Sequence, residues 1–148
     1  MESASFLEWL HREIPLTAAM QVDRVDFDGE SLSLHAPLAP NLNDKGTGFA
    51  GSTSGLATLS GWCVITLWLA SRNIDADVMV ARSEIEYLAP LTRDLRTWVN
   101  LPDKESLLNF EQRLTERGRA RLPLTVILGE DEDSPVLKLT GDYAAKLR

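Results

Sequence analysis

One run of this 148-residue chain has the residue types needed to polarise a carbonyl or bind an anion. The glycine-rich segment Gly46–Gly51 leads directly into a long apolar stretch. If a helix begins here, its first backbone N–H groups have no partner inside the helix. Such groups bind anions and stabilise a developing oxyanion. The alternative interpretation is an ordinary glycine-rich helix start without a ligand.

Asp44 is the carboxylate nearest to this helix start in the sequence. A carboxylate in this position can act as a general base towards water, or attack an electrophilic carbonyl directly. Asn43 can orient the water or the carbonyl. Because Asn and Asp both favour turns, the alternative is that the pair Asn43-Asp44 only forms a turn.

Several other polar side chains can be weighed as catalytic groups. Three hydroxyl groups near the glycine-rich segment can position water, although each residue is also small enough to serve as packing: Thr47, Thr58 and Ser60. No histidine lies near Ser60 in the chain to activate it, although a distant one could approach in space. We predict that His11 and His35 are surface residues. With one cysteine, Cys63, they show no metal-binding spacing, so we expect neither a metal nor a cofactor.

A buried helix is predicted to carry this segment. No residue between Lys45 and Arg72 is charged, whereas a solvated helix of this length would have a polar stripe. We therefore predict a central helix from about Gly51 to Ala70, enclosed by other structure. Its strongly apolar part is shorter than the roughly 20 residues that cross a bilayer, so no membrane span is expected.

The flanking sequence predicts two further helices and a series of strands. The helices are expected at Ser5–Glu13, ended by Pro15, and at Leu107–Arg117. Alternating apolar residues predict strands at 22–27, 31–38, 78–88, 95–101, 119–128 and 136–143. The economical packing is a curved antiparallel β-sheet wrapped around the long central α-helix. The predicted class is α+β, in one domain over residues 1–148.

Composition restricts the partners and the compartment. The net charge of −7 argues against nucleic acid as a partner, because binding to its backbone needs clustered Lys and Arg. A single cysteine excludes an internal disulfide and fits a reducing compartment. The acidic, amphipathic N-terminus is unlike a signal peptide, so a cytoplasmic location is expected.

Four short motifs resemble those of hotdog-fold thioesterases. They are Asn43-Asp44-Lys45-Gly46-Thr47, Gly51, Ser60-Gly61-Trp62 and Glu86-Tyr87-Leu88-Ala89-Pro90. The chain is most similar to the thioesterase domain that follows a GNAT acetyltransferase domain in some bacterial proteins. The resemblance implies a hotdog fold and a homodimer joined edge to edge by its sheets, in some cases paired into a tetramer. It also implies acyl-CoA or acyl-carrier thioester substrates, bound between subunits near the central helix start.

The chain departs from many relatives at two points. Where they carry His-Gly-Gly at the junction of loop and helix, this chain has Phe49-Ala50-Gly51. Where they carry an acidic residue about two turns into the helix, it has Thr58-Leu59-Ser60. The usual catalytic constellation is therefore not present in its familiar form.

Together the residues and the resemblance give a set of predicted site residues. The predicted catalytic residues are Asp44, Asn43, Gly51 and Ser60, with Gly51 contributing a backbone amide. The predicted substrate-binding residues are Thr47, Phe49, Ala50, Ser52, Arg82 and Arg119, the two arginines as anchors for coenzyme phosphates. An acyl pocket can use Phe49, Leu56, Trp62 and Leu88, which are also typical core residues.

Two other functions stay open for the sequence. A non-catalytic acyl-thioester-binding or regulatory protein would keep the pocket and lose the chemistry, which fits the missing histidine and helix carboxylate. A hydroxyacyl-thioester dehydratase would need a His with a carboxylate, and neither His11 nor His35 lies in the loop–helix region. Glu84 and Glu86 should point to one face of their strand, where one could reach a neighbouring subunit's site.

Overall fold

The centre of the fold is a long helix, α3, spanning Ala50–Ser71, in a computed structural model that describes residues 2–148. By length and composition α3 could cross a bilayer, but 61% of its most apolar stretch is buried inside the protein. It is therefore a core helix, and the prediction of a buried helix from about Gly51 to Ala70 is confirmed.

Six antiparallel strands form one sheet around this helix. The strands are β1 Arg24–Phe27, β2 Ser31–Ala36, β3 Ala76–Tyr87, β4 Leu95–Asn100, β5 Arg119–Gly129 and β6 Pro135–Leu147. They lie in the order β1-β2-β4-β5-β6-β3. Every pairing is antiparallel. The α+β hotdog architecture is thereby confirmed.

Alternation along the strands decides which face of the sheet covers α3. In β5, Leu122, Leu124, Val126 and Leu128 are buried, and the residues between them are more exposed, apart from the strand's end. This period of two gives one apolar face against the helix and one polar face towards solvent. The buried apolar residues of the sheet and of α3 form one continuous core.

Three shorter helices pack beside this core. They are α1 Ser3–Glu13, α2 Pro15–Ala19 and α4 Lys104–Arg117. Pro15 follows the end of α1, as predicted. It also begins α2, at the first helical position, where the N–H that proline lacks would have no partner inside the helix. Helix α4 begins before the predicted Leu107, since the Asp103 carboxylate caps it by accepting a hydrogen bond from the Ser106 amide at 2.8 Å.

Strand β3 forms one edge of the sheet and is unusually exposed. One side of it pairs with β6, and its other side has no strand partner among residues 2–148. Met79 and Val80 are 44% and 43% exposed, and a register shift follows Val80. A long edge with exposed apolar side chains is a template for pairing with another strand.

Helix α3 approaches the sheet most closely at Gly61. The buried Tyr143 side chain on β6 lies over this glycine and donates a hydrogen bond from its hydroxyl to the Thr58 carbonyl oxygen at 2.8 Å. A Cβ atom added to Gly61 would overlap the Tyr143 phenol. The absence of a side chain at Gly61 therefore lets the helix and sheet meet at this distance.

We expect Gly61→Ala to lower the free energy of unfolding by about 1 to 3 kcal/mol, the usual cost of overpacking a buried site. Tyr143 is fully buried and cannot swing aside. Urea denaturation measures the effect. Gly55→Ala is the matched control on the same helix, since a Cβ there meets no atom within 4 Å. It should be neutral or stabilising, and equal destabilisation by both changes would contradict the packing explanation.

Candidate functional site

The first turn of α3 presents two unused backbone donors. Phe49 is the N-cap residue, and no side chain caps the helix there. The Ser52 and Thr53 amides both donate to the Phe49 carbonyl oxygen, at 2.9 and 3.0 Å. Within residues 2–148, the Ala50 and Gly51 amides donate no hydrogen bond. The helix start therefore has two open N–H groups of the kind that can hold an oxyanion.

The Phe49 side chain explains the glycine at position 51. A Cβ atom on Gly51 would overlap the Phe49 ring, so the ring lies against the first turn of the helix. Phe49 nevertheless remains 52% exposed. Phe49, Ala50 and Gly51 therefore form a compact helix start.

The loop before the helix is closed by the side chain of Asn43. Its Oδ1 accepts hydrogen bonds from the Lys45 amide at 2.8 Å and the Thr47 amide at 3.1 Å, and its Nδ2 donates to Thr47 Oγ1 at 2.8 Å. Gly46 adopts a left-handed φ of 75° inside this loop. Asn43 and Thr47 therefore hold each other in a tight turn, which is the structural role that the sequence also allowed.

A cavity of about 440 Å³ opens beside the helix start. Its polar side comes from Asn43, Lys45 and Thr47, and Ala50 contributes the edge of the helix. The segment 87–91, together with Val136 and Leu137, contributes the apolar side. Among the described lining residues, Lys45 carries the one formal charge. The cavity therefore combines an apolar wall, a cation and, at Ala50, the edge of the helix start that carries the open amides.

Asp44 lies at the outer tip of the loop. Its carboxylate is 81% exposed, and its Oδ1 lies 3.0 Å from the Lys45 ammonium, which is itself 75% exposed. The lining of the cavity includes Lys45 but not Asp44. An ion pair between two exposed groups contributes little free energy, so both side chains are free to take other partners.

Ser60 lies in the core and not at the cavity. Its hydroxyl is fully buried, donates to the Leu56 carbonyl oxygen at 2.8 Å and lies 2.6 Å from Thr97 Oγ1. Thr97 Oγ1 in turn accepts from the Leu34 amide at 3.0 Å. The chain of donors runs from Leu34 through Thr97 and Ser60 to Leu56. Ser60 therefore fastens α3 to β2 and β4, and has no path to a substrate at the helix start.

The arginines predicted to anchor phosphates lie on the other face of the sheet. In the register of β6, Arg82 and Arg119 pair with residues that alternate with the buried Tyr143, so their side chains point away from α3. Both are exposed. Glu84 and Glu86 share this outer face, in agreement with the prediction that they point the same way. Within one chain, none of these four side chains reaches the cavity.

The histidines and the cysteine are engaged elsewhere. His11 Nε2 lies 2.7 Å from the Val22 carbonyl oxygen, and His35 Nδ1 lies 2.6 Å from Asp23 Oδ1. Both rings are partly buried, so they are less exposed than predicted. Cys63 is fully buried, and burial raises the pKa of its thiol well above the usual range, which leaves it unreactive.

The sequence patterns select some lining residues of the cavity and miss others. Leu88 of the predicted acyl pocket lines it, whereas Leu56 is fully buried in the core. The missed residues include Lys45, Thr53, Tyr87, Leu91, Val136 and Leu137. Lys45 and Tyr87 lie inside two of the four motifs that carry the resemblance, and this position was the signal available for them. Leu91, Val136 and Leu137 reach the cavity through strand pairing that periodicity does not specify.

Comparison with known proteins places the chain in one family. Residues 3–147 match the family described as "Putative thioesterase (yiiD_Cterm)". A putative thioesterase from Shewanella oneidensis is 32% identical with a TM-score of 0.84, over 98% of this chain and 96% of that one. A protein of unknown function from Chlorobaculum tepidum is 28% identical with a TM-score of 0.92, over 98% and 94% of the two chains.

A more distant relative has the same fold. It is a Pseudomonas aeruginosa protein described as a "Probable Thioesterase", 21% identical with a TM-score of 0.83, covering 99% of this chain and 97% of that one. At this identity the similarity establishes the fold alone. The family match and the Shewanella oneidensis relative together support a thioesterase function in general terms.

We expect Ser60→Ala to lower the free energy of unfolding by about 1 to 3 kcal/mol, because the buried Thr97 hydroxyl loses its acceptor. Chemical denaturation measures the loss. Ser71→Ala is a matched control, since the Ser71 hydroxyl also donates to a helix carbonyl but the residue is exposed. If the two variants were equally stable, the buried network would not have the fastening role described.

Proposed function

The chain belongs to the family described as "Putative thioesterase (yiiD_Cterm)", and on that premise we propose that it hydrolyses acyl thioesters at the start of α3. The thiol carrier is coenzyme A or an acyl-carrier protein. The observation that carries the proposal is the pair of open amides at Ala50 and Gly51 beside a cavity with an apolar wall. These amides suit a thioester oxygen, and the wall suits an acyl group.

The proposed reaction uses water as the nucleophile. The thioester carbonyl oxygen accepts hydrogen bonds from the Ala50 and Gly51 amides, which polarises the carbonyl carbon. Water attacks that carbon, and the negative charge collects on the oxygen held by the two amides. The C–S bond then breaks, which releases the carboxylic acid and the thiol. Donors fixed in the first turn of a helix need no reorganisation as the charge develops.

Asp44 is the proposed general base. It takes a proton from the attacking water and returns it to the leaving thiolate, so the proton balance closes. Asn43, one residue earlier, is fixed by four hydrogen bonds through its side chain and holds the loop in place. The exposed Asp44 side chain can turn towards a substrate at the cavity mouth, since its partner within the described residues is the exposed Lys45.

A specific observation favours a second function, the binding of acyl thioesters without turnover. The described lining residues of the cavity include no carboxylate, and Asp44 reaches it only by turning inwards. A protein of this kind would hold the thioester on the same amides and leave it intact. The dehydratase alternative is less well supported, because both histidines have partners away from the cavity.

We also propose that the protein is a cytoplasmic homodimer, with pairing into a tetramer as a further possibility. The exposed edge of β3 supports a dimer joined through its sheets, because Met79 and Val80 would be covered by a second copy. Tyr87 and Leu88, which border the cavity, are 59% and 50% exposed at the end of this strand. A second copy on this edge would therefore lie close to the proposed site.

Thiol release from a panel of acyl-CoAs of different chain length tests the enzyme proposal. We expect the wild type to hydrolyse at least one member, and Asp44→Asn to lower kcat about 100-fold or more, as expected for loss of a general base. Asp133→Asn, a change of another exposed loop aspartate, is the matched control and should retain the wild-type kcat.

Two results would count against this assignment. An Asp44→Asn variant with wild-type kcat would show that Asp44 is not the base. A wild type that binds acyl-CoA in calorimetry but releases no thiol from it would favour the binding protein, and an acyl-carrier substrate would then be the next one assayed.

The dimer proposal predicts a mass in solution of about twice the 16.4 kDa chain, or a higher even multiple. Light scattering coupled to gel filtration measures it. Val80→Lys should shift the population towards the monomer, because it places a charge on the exposed β3 edge. Leu16→Lys is the control, as Leu16 is 65% exposed on α2. A wild type that stays monomeric at micromolar concentration would exclude the proposed assembly.

A further inference from the structure

We infer that Lys45 binds a phosphate group of the thioester's carrier, and so distinguishes phosphorylated carriers from short thiols. This inference deepens the proposed function and rests on it. The phosphate has two possible sources. The 4′-phosphate of the pantetheine arm is common to coenzyme A and acyl-carrier proteins, and the nucleotide phosphates belong to coenzyme A alone.

The charge distribution around the cavity is the first argument. Among its described lining residues, Lys45 is the one with a formal charge, in a chain whose net charge is −7. Repulsion between that net charge and an anionic carrier would oppose binding unless a cation offsets it locally. Lys45 is the cation that the fold places at the cavity.

The position of Lys45 is fixed by the loop, and its side chain is available. Its backbone amide donates to Asn43 Oδ1 at 2.8 Å, within a turn that Gly46 completes with a left-handed φ. Among residues 2–148 its ammonium pairs with Asp44 alone, and the two side chains are 75% and 81% exposed. A phosphate carries more charge than a carboxylate and competes well for such a weakly held ammonium.

The orientation of a thioester in the cavity places the carrier, and not the acyl group, at Lys45. The acyl group needs the apolar wall formed by Leu88, Leu91 and Leu137. Lys45 belongs to the polar lining of the cavity, and its side chain is largely in solvent. With the carbonyl oxygen on the Ala50 amide, the polar arm leaves the cavity on the side of Lys45.

The other candidate cations are on the wrong face. Arg82 and Arg119 point away from α3 on the outer side of the sheet, as the strand register requires. No route within one chain brings their guanidinium groups to the cavity beside Ala50. Within one chain, the role of phosphate anchor therefore falls to Lys45 and not to these arginines.

Steady-state kinetics with three thioesters of the same acyl group test the inference. The carriers are pantetheine, 4′-phosphopantetheine and coenzyme A. We expect Lys45→Ala to raise KM about tenfold for carriers with the recognised phosphate, and to change KM for acyl-pantetheine less than twofold. An effect that begins with 4′-phosphopantetheine identifies the shared phosphate, and an effect confined to coenzyme A identifies the nucleotide phosphates.

Three controls separate charge recognition from damage to the loop. Lys45→Arg keeps the charge and should keep KM within about threefold of the wild type. Lys104→Ala removes an exposed lysine at the start of α4, with the same change in net charge, and should leave all three KM values unchanged. For the wild type, added salt should raise KM for acyl-CoA and not for acyl-pantetheine. This last measurement needs no variant, so it stands even if Lys45→Ala fails to fold.

Equal rises of KM for all three carriers, or no rise for any, would overturn the inference and leave the thioesterase proposal intact. Absence of turnover with every carrier would instead count against the proposed function. In that case, calorimetry with coenzyme A and with pantetheine replaces kinetics, and Lys45→Ala should weaken only the binding of coenzyme A. Equal binding by wild type and variant would overturn the inference there too.

Discussion

The contact between Tyr143 and α3 sets the position of everything at the proposed site. The phenol hydroxyl donates to the Thr58 carbonyl oxygen across the space left by Gly61, and burial raises the pKa of that phenol, so it remains a donor at neutral pH. One residue earlier, Ser60 bonds towards β4 through Thr97. The contact of Tyr143 at Gly61 and the hydrogen bond of Ser60 therefore fix both the distance of α3 from the sheet and its rotation about its own axis. The first turn of α3 therefore opens towards the cavity and not into the core.

The two halves of α3 have different tasks, and their compositions follow from them. The second half is large and apolar, and its burial supplies much of the core. The first half is built from small residues, which weaken a helix but let the Phe49 ring and Tyr143 approach its backbone. The low helix propensity of the first half is offset by the burial of the large apolar side chains in the second half. The helix can therefore keep unpaired backbone amides at its N-terminus and still be held firmly in the core.

The spacing of apolar residues predicted the helices and strands well, because buried positions are apolar and their spacing is visible in the sequence. The absence of charge predicted a core helix from about Gly51 to Ala70, and the alternating strands predicted a sheet packed around it. Contacts that depend on register were not accessible in the same way. Arg82 faces away from the site because of its pairing with β6, and Ser60 is a core residue because Thr97 lies opposite it. Asn43 fitted two roles, and its hydrogen bonds select the turn.

The missing cap at Phe49 couples stability to recognition. A Ser, Thr, Asp or Asn at an N-cap stabilises a helix by about 1 kcal/mol relative to residues that cannot cap, and α3 forgoes this stabilisation. Its open amides are the same groups that a bound oxyanion would satisfy. The ligand then acts as the cap, so occupancy would strengthen the first turn of the core helix. Under the proposed function, a capping side chain at position 49 would stabilise the empty protein and compete with the bound thioester for the same amides, a conflict that Phe49 avoids.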